Sequence, residues 1–151
     1  MISIMPVTEE DIVHILEIEQ EAISPPWTHG ALLSEIYRDD SFFAVARSGQ
    51  RESTKGSLLH GFIILRSILD EGELLQIAVG KDARRRGIAD MLMASAIKNI
   101  EENSIRSVFL EVRKSNEAAI SLYKKHGFKS VRLRRDYYTD PTEDAVVMVR
   151  V

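Results

Sequence analysis

Residues 76–89 (QIAVGKDARRRGIA) carry the clearest chemical signal in the sequence, because an apolar stretch meets a basic turn and continues into an amphipathic helix. The first backbone N–H groups of a helix have no intrahelical partner and lie at the positive end of the helix dipole, so they attract anions. Gly87 lets the main chain approach a ligand closely. Arg84, Arg85 and Arg86 add charge that can pair with phosphate oxygens. The junction predicts a phosphate-binding turn, although a solvated basic loop has the same composition.

Composition bounds the kinds of function that are plausible. The 151 residues, 44% hydrophobic and 28% charged, predict one globular domain over residues 1–151. A net charge of −3 argues against direct nucleic-acid binding through bulk charge and favours a small or peptidic ligand. The sequence has no cysteine and four scattered histidines, which excludes a thiolate nucleophile and predicts no metal site.

The N-terminus is too short for a signal-peptide core, and no apolar run reaches the roughly 20 residues that span a bilayer. We therefore expect a cytoplasmic protein without membrane contact.

The first half of the chain predicts one strand, two helices and two further strands. Ile2 and Ile4 indicate a strand ended by Pro6, and Thr8 caps a helix that runs to about Ala22. The stretch Ser24–Trp27 breaks the chain, and Thr28 caps a second helix. The next two strands are predicted over Phe42–Ala46 and Gly61–Leu69, joined by a polar, flexible hairpin loop over residues 48–57.

The second half alternates strands and helices. A turn at Asp70–Gly72 leads into Leu74–Val79, whose few polar positions predict a central strand. The remaining predicted elements are a helix from Gly87, a strand over Ser107–Arg113, a helix over Asn116–His126, and strands over 128–133 and 145–151. This order predicts an α/β domain with a mixed central sheet of about seven strands and about four helices. An exposed C-terminal strand could pair across a two-fold axis, so we expect a monomer or a weak homodimer.

Two motifs together resemble a known family. Residues 84–89 have the form R-x-x-G-x-A, and Asn116 is followed by L-Y-x-x-x-G-F at residues 122–128. With these motifs the chain resembles the GNAT superfamily of acetyl-CoA-dependent N-acetyltransferases. It resembles most the bacterial ribosomal-protein-alanine N-acetyltransferases (RimI-type), through stretches at residues 24–27, 69–71, 77–79, 110–113, 115–116, 134–138 and 143–145.

The resemblance implies a GNAT fold, acetyl-CoA as cosubstrate and a set of functional residues. It places a general base at Glu111 and a general acid at Tyr123. The acetyl-CoA contacts that it implies, with the basic turn included, are Ile77, Ala78, Val79, Arg84, Arg85, Arg86, Gly87, Ile88, Ala89, Asp90, Asn116 and Tyr123.

Elementary chemistry makes these roles sensible. An α-amino group with a pKa of about 8 is largely protonated at neutral pH, so a group must receive its proton before the amine attacks a thioester. Glu111, at the end of an apolar strand, can receive it directly or through water. Tyr123 can protonate the thiolate of coenzyme A, and a main-chain N–H in the strand that ends at Val79 can stabilise the developing oxyanion. Without the motifs, the simplest interpretation of Glu111 is a surface ion-pair partner. Tyr123 would then be a core residue and Asn116 a helix cap.

Aromatic and acidic residues suggest where the acceptor binds. Pro26, Trp27, Tyr137 and Tyr138 would form rigid walls around a peptide N-terminus, although Trp27 could equally be a hydrophobic staple. In addition, Glu71 and Glu73 could attract its positive charge.

The expected reaction is acetylation of the N-terminal amine, typically alanine, of a ribosomal or other protein. The alternatives are a GNAT enzyme that acetylates lysine, a polyamine or another small amine, and a non-catalytic acyl-CoA sensor. Retention of both Glu111 and Tyr123 argues against the sensor. Ala89 and Arg84 depart from the family pattern without affecting the acetyl-CoA assignment, whereas Glu73 and the loop over residues 48–57 could change the choice of acceptor.

Overall fold

The computed structural model describes residues 1–49 and 58–151 and has the predicted order of elements. The strands and helices are β1 (Ile2–Pro6), α1 (Ile12–Ala22), α2 (His29–Ile36), β2 (Ser41–Ser48), β3 (Leu58–Ile68), β4 (Glu71–Val79), α3 (Ile88–Glu102), β5 (Ser107–Arg113), α4 (Glu117–Lys125), β6 (Lys129–Tyr138) and β7 (Glu143–Arg150). Short 3-10 turns precede α1 at Glu9–Asp11 and follow β4 at Lys81–Ala83. The predicted α/β class is confirmed.

Within the described residues, seven strands form one sheet in the order β1-β2-β3-β4-β5-β7-β6. Neighbouring strands are antiparallel except β4 and β5, which are parallel because α3 connects them. These two strands pair only over Glu71–Glu73 and Ser107–Phe109 and then separate. We call the space beyond Glu73 and Phe109 the β4–β5 gap. β4 is the central strand, as predicted.

An irregularity in β4 lies beside this gap. Ile64 pairs with Gln76 and Leu65 pairs with Leu74, so Leu75 has no register partner on β3. This is a β-bulge, which locally reverses the side-chain alternation and increases the twist. The side chains of Leu75 and Gln76 consequently both face α1 and α2.

Apolar cores lie on both faces of the sheet. The larger core packs α3 and α4 against sheet residues such as Ile63, Leu110 and Met148. The other packs α1 and α2 against residues such as Phe62 and Ile64. The sheet therefore separates two layers, and a ligand in the β4–β5 gap can contact both.

The structure corrects several sequence expectations. β7 lies between β5 and β6, so the C-terminal strand is internal and the edge strand at that end of the sheet is β6. β6 continues to Tyr138 rather than ending at Leu133, and the turn into β4 is at Leu69–Asp70. Most of the predicted loop over residues 48–57 lies outside the described residues. None of the described helices is long and apolar enough to cross a membrane.

Candidate active site

The turn after β4 exposes its basic side chains and buries its anchor residues. Ala83 and Ile88 are buried, whereas Arg84, Arg85 and Arg86 are exposed between them. Arg85 and Gly87 have positive φ angles, 63° and 75°, which reverse the chain before α3 begins. No atom lies within 4 Å of where a Cβ of Gly87 would stand, so the space in front of the helix is open.

The start of α3 provides unpaired amides. The first intrahelical hydrogen bond runs from the Met91 N–H to the Gly87 carbonyl at 3.1 Å. The N–H groups of Ile88, Ala89 and Asp90 precede it and have no acceptor within the helix. Three amides at the positive helix end, beside three arginines, fit an anionic group such as a diphosphate.

Asp90 differs from the other residues of this turn. Its carboxylate pairs with His126 at 2.9 Å and with Lys125 at 3.0 Å, and these contacts hold the pKa of Asp90 below its usual value. The side chain therefore joins the start of α3 to the end of α4, and only the Asp90 main-chain N–H is available for an anion.

Asn116 is the N-cap of α4, as its position in the sequence predicts. Its Oδ1 accepts a hydrogen bond from the Ala119 N–H at 3.1 Å.

Glu111 lies on β5 two residues beyond the last residue paired with β4. Its neighbours Leu110 and Val112 are buried in the core under α3 and α4, so Glu111 points to the opposite face. Its Oε2 accepts a hydrogen bond from Arg134 Nη1 at 2.9 Å. The Arg134 guanidinium also lies over the Tyr137 ring, 4.3 Å from its centre. Burial, followed by the charge of Glu111, raises the pKa of Tyr137, so Tyr137 also lies beside this carboxylate.

Tyr123 is buried on the other side of the sheet, in the core under α3 and α4. Burial, with a smaller contribution from Tyr138, raises the pKa of Tyr123 well above its usual value. Burial and the charge of Glu111 raise the pKa of Tyr138 to about 12. Both phenols are therefore protonated at neutral pH and can donate. Tyr138 therefore lies near enough to each of the two predicted catalytic residues to interact with it electrostatically.

Of the two acidic residues proposed for the acceptor side, the structure brings Glu73 to Glu111. Glu73 is the last residue of β4 paired with β5, and burial followed by the charge of Glu111 raises the pKa of Glu73, while Arg66 opposes the rise. Glu71 is exposed at the start of β4, opposite Ser107. The structure therefore does not bring Glu71 to this pair of carboxylates.

The predicted aromatic walls lie on one loop and at the end of one strand. Pro26 and Trp27 belong to the loop between α1 and α2, residues 23–28, which we call the acceptor loop; they line a cavity of about 440 Å³. Trp27 also packs on the core under α1 and α2, as a staple would. Tyr137 and Tyr138 end β6, with ring centres 5.0 Å apart in an edge-on arrangement.

Sequence reasoning missed two charged residues that hold these segments. Glu19 is fully buried on α1, and its Oε2 accepts a hydrogen bond from the Trp27 N–H at 2.6 Å. Burial raises the pKa of Glu19, although the Trp27 amide and the Gln76 side chain oppose the rise. The other residue is Arg113, which ends β5. The helical spacing of Ile12, Ile15 and Glu19 could have identified the first, because it places Glu19 on the apolar face.

Comparison with known proteins agrees with this geometry. The model of the acetyltransferase (GNAT) family matches residues 12–128. The [ribosomal protein bS18]-alanine N-acetyltransferase of Salmonella typhimurium is 36% identical over 155 residues, covering 97% of this chain and 94% of that protein.

Two solved structures are also similar. The crystal structure of the ribosomal-protein-S18-alanine N-acetyltransferase from Escherichia coli is 32% identical, with a TM-score of 0.85 over 99% of this chain and 93% of that one. The PaiA N-acetyltransferase from Thermoplasma acidophilum, in complex with coenzyme A, is 25% identical with a TM-score of 0.76, covering 99% and 98%. The resemblance and the GNAT-type fold predicted from the sequence are confirmed.

Proposed function

Because this chain belongs to the GNAT acetyltransferase family and is an acetyltransferase, we propose that it transfers acetyl from acetyl-CoA directly to a protein N-terminal amine. The acceptor that we propose is an N-terminal alanine of a ribosomal or other protein. Support comes from relatives over 30% identical that are named for alanine acetylation of ribosomal protein bS18. In this proposal residues 1–151 form one catalytic domain.

The observation that carries the proposal is the separation of β4 from β5 directly beside the basic turn. Among residues 1–49 and 58–151, no strand pairs with the edge of β4 that faces β5 beyond Glu73. The partly buried side chains of Ile77 and Val79 and the backbone of Ala78 lie along this stretch. An extended amide-containing chain such as pantetheine can pair with a free strand edge as an added strand would. The turn amides and Arg84–Arg86 then hold the diphosphate, and Asn116 adds a contact from the start of α4.

We propose that one residue on each face of the sheet transfers a proton, Glu111 as the base and Tyr123 as the acid. Glu111 receives the proton from the acceptor ammonium, directly or through water, and the free amine forms the new C–N bond. As the C–S bond breaks, Tyr123 gives its proton to the departing thiolate. The nitrogen of the new amide loses its second proton, which passes through solvent and restores the Tyr123 phenol. Main-chain N–H groups near the β4 bulge stabilise the charge on the carbonyl oxygen. The chain has no cysteine to form an acyl-enzyme thioester, which supports direct attack.

The acceptor N-terminus would lie between the acceptor loop and the end of β6. Pro26, Trp27, Tyr137 and Tyr138 supply the walls. Glu73, beside Glu111, attracts the ammonium group; Glu71 contributes only at longer range.

The test is release of coenzyme A thiol with an Ala-starting peptide, followed by mass measurement of the product. We expect Glu111→Gln and Tyr123→Phe each to lose about 10²-fold or more in kcat/KM while retaining acetyl-CoA binding. Glu102→Gln and Tyr37→Phe are matched controls, because both side chains are exposed and lie at the ends of α3 and α2 rather than on β4 or β5. Equal turnover by all five proteins would contradict the assignment.

Acceptor profiling separates the remaining alternatives. The same assay is run with the peptide blocked at its N-terminus, with a lysine-containing peptide and with a polyamine. Turnover of the blocked lysine peptide or the polyamine in preference to the free N-terminus would favour a different GNAT acceptor. Acetyl-CoA binding without turnover of any amine would favour a sensor.

A further inference from the structure

Arg113 reaches two separate loops with one guanidinium group. Its Nη1 donates to the Pro141 carbonyl at 2.9 Å and to Glu143 Oε1 at 3.2 Å. Its Nη2 donates to the Thr139 carbonyl at 3.2 Å and to the Ser24 carbonyl at 3.5 Å. Residues 139–142 connect β6 to β7, and Ser24 belongs to the acceptor loop. The end of β5 is therefore bonded to both proposed walls of the acceptor channel.

Neighbouring contacts hold this junction in place. The Arg113 side chain is only 19% exposed, and its guanidinium lies 4.5 Å from the centre of the Tyr138 ring. Glu143 also accepts a hydrogen bond from the Ser115 N–H at 2.6 Å, and the contacts with Ser115 and Arg113 keep the pKa of Glu143 below its usual value. The Ser24 hydroxyl donates directly to the Asp140 carbonyl at 3.3 Å. Much of the junction consists of carbonyl groups on irregular backbone, which only a donor with several N–H groups can satisfy together.

We infer that Arg113 is a positioning residue that sets the distance between the acceptor loop and the connection from β6 to β7, and thereby determines affinity for the acceptor. This inference rests on the proposed function, which places the acceptor between the acceptor loop and the end of β6. None of the groups bonded to Arg113 belongs to the β4 edge or to the basic turn. Loss of the guanidinium should therefore weaken acceptor binding and leave acetyl-CoA binding intact. Lysine is not an adequate replacement, because one ammonium group cannot reproduce the planar fork.

The experiment compares Arg113→Met and Arg113→Lys with Arg106→Met. Arg106 is a suitable control because its side chain is 83% exposed and makes a single ion pair with Asp70 at 3.6 Å. KM and kcat are measured separately for an Ala-starting peptide and for acetyl-CoA. Trp27 is the only tryptophan of the chain, so its fluorescence and its quenching by acrylamide report on the acceptor loop without any turnover.

We expect both Arg113 variants to raise the peptide KM by about 10- to 100-fold, with the KM for acetyl-CoA within about 2-fold of wild type. Trp27 should become more accessible to acrylamide in both, and Arg106→Met should match wild type. If Arg113→Met does not fold, Arg113→Lys decides the question, because it retains the positive charge. An unchanged peptide KM with unchanged Trp27 quenching, or equal losses for both substrates, would overturn the inference.

The two proposals fail in different ways. If only small amines are acetylated, the proposed acceptor is wrong, yet the Trp27 response still tests whether Arg113 holds the loop. If peptides are acetylated normally by Arg113→Lys and its Trp27 quenching is that of wild type, the proposed function stands and the role of Arg113 does not.

Discussion

Gly61 is the position at which a single added methyl group should most directly disturb β4, the strand that we propose binds acetyl-CoA. It lies on β3 opposite Val79, which ends β4. A Cβ at Gly61 would stand 2.7 Å from the Ala78 carbonyl oxygen and 3.3 Å from both Leu92 Cδ1 and Val79 Cγ2. Tolerated C···O contacts begin at about 3.3 Å, so β4 would have to move by about 0.6 Å. The obstructing atom belongs to the backbone and cannot rotate away.

The cost of Gly61→Ala follows from two opposing terms. Overpacking a well-filled core lowers the free energy of unfolding by about 1–3 kcal/mol. Reduced entropy of the unfolded chain raises it by about 0.4–1 kcal/mol. The net destabilisation should be about 1–2 kcal/mol, which for a domain of this size lowers Tm by about 2–8 °C. Because the displaced carbonyl belongs to the proposed acetyl-CoA strand, we also expect the Kd for acetyl-CoA to rise by about 10-fold.

Thermal unfolding and calorimetric titration with acetyl-CoA measure these two effects. Gly30→Ala is the matched control, since Gly30 lies in α2 and no atom approaches its Cβ position within 4 Å. Alanine in a helix should stabilise that variant by about 0.5–1 kcal/mol and leave binding unchanged. If Gly61→Ala were as stable as Gly30→Ala and bound acetyl-CoA equally well, the rigid contact between β3 and β4 would have no functional consequence.

Further predictions concern pH, the acceptor loop and the α4 cap. Because the pKa of Glu73 is raised, this carboxylate loses its charge early as pH falls, so the peptide KM should rise on the acid side and Glu73→Gln should abolish that dependence. The cost of ionising Glu73 in the folded state begins above the ordinary carboxyl pKa and is complete above the raised one, so Glu73→Gln should increase Tm more at pH 8 than at pH 4. Glu19→Ala leaves the Trp27 N–H unpaired and should cost about 1–3 kcal/mol in chemical unfolding, whereas Glu19→Gln, which retains an acceptor, should cost less. Asn116→Ala should cost about 1 kcal/mol through the lost cap; a parallel loss of acetyl-CoA affinity, absent from Asn116→Asp, would show that the side chain also serves the ligand.

Local features of the fold could be predicted from the sequence because their causes are local. Thr28 accepts a hydrogen bond from the Ala31 N–H and begins α2, and Asn116 does the same for α4, as the residue types indicated. The basic turn before α3 is likewise contained in a few consecutive residues. The boundaries of β5 over Ser107–Arg113 were predicted correctly because buried and less buried positions alternate along the strand.

Features that depend on pairing between distant segments could not be predicted. The insertion of β7 between β5 and β6 depends on which strands pair, and the bulge at Leu75 depends on the register in which β4 pairs with β3. β6 was predicted too short because its last five residues are charged or aromatic, which is typical of an exposed edge strand but does not show apolar alternation. The proximity of Glu73 to Glu111 follows only from the parallel pairing of β4 with β5.

The roles of buried Glu19 and partly buried Arg113 were missed for a related reason. A sequence indicates that Glu19 interrupts an apolar helix face and that Arg113 ends an apolar strand. Neither position reveals that the partners are backbone groups of loops distant in the sequence, Trp27 N–H in one case and the Ser24 carbonyl in the other. Such charges remain buried because those groups complete their hydrogen bonds.

The division of the site between two faces of the sheet has a consequence for specificity. Glu111 and the acceptor loop lie on the side of α1 and α2, whereas Tyr123 lies in the core on the side of α3 and α4. Apart from Glu73, which shares β4 with the proposed acetyl-CoA contacts, the groups proposed to select the amine are carried by different elements from those proposed to hold acetyl-CoA, and we propose that the two sets meet in the β4–β5 gap. Changes in the acceptor loop should therefore alter which amine is acetylated while the affinity for acetyl-CoA is preserved. Changes near Gly61 or the basic turn should weaken transfer to every amine alike.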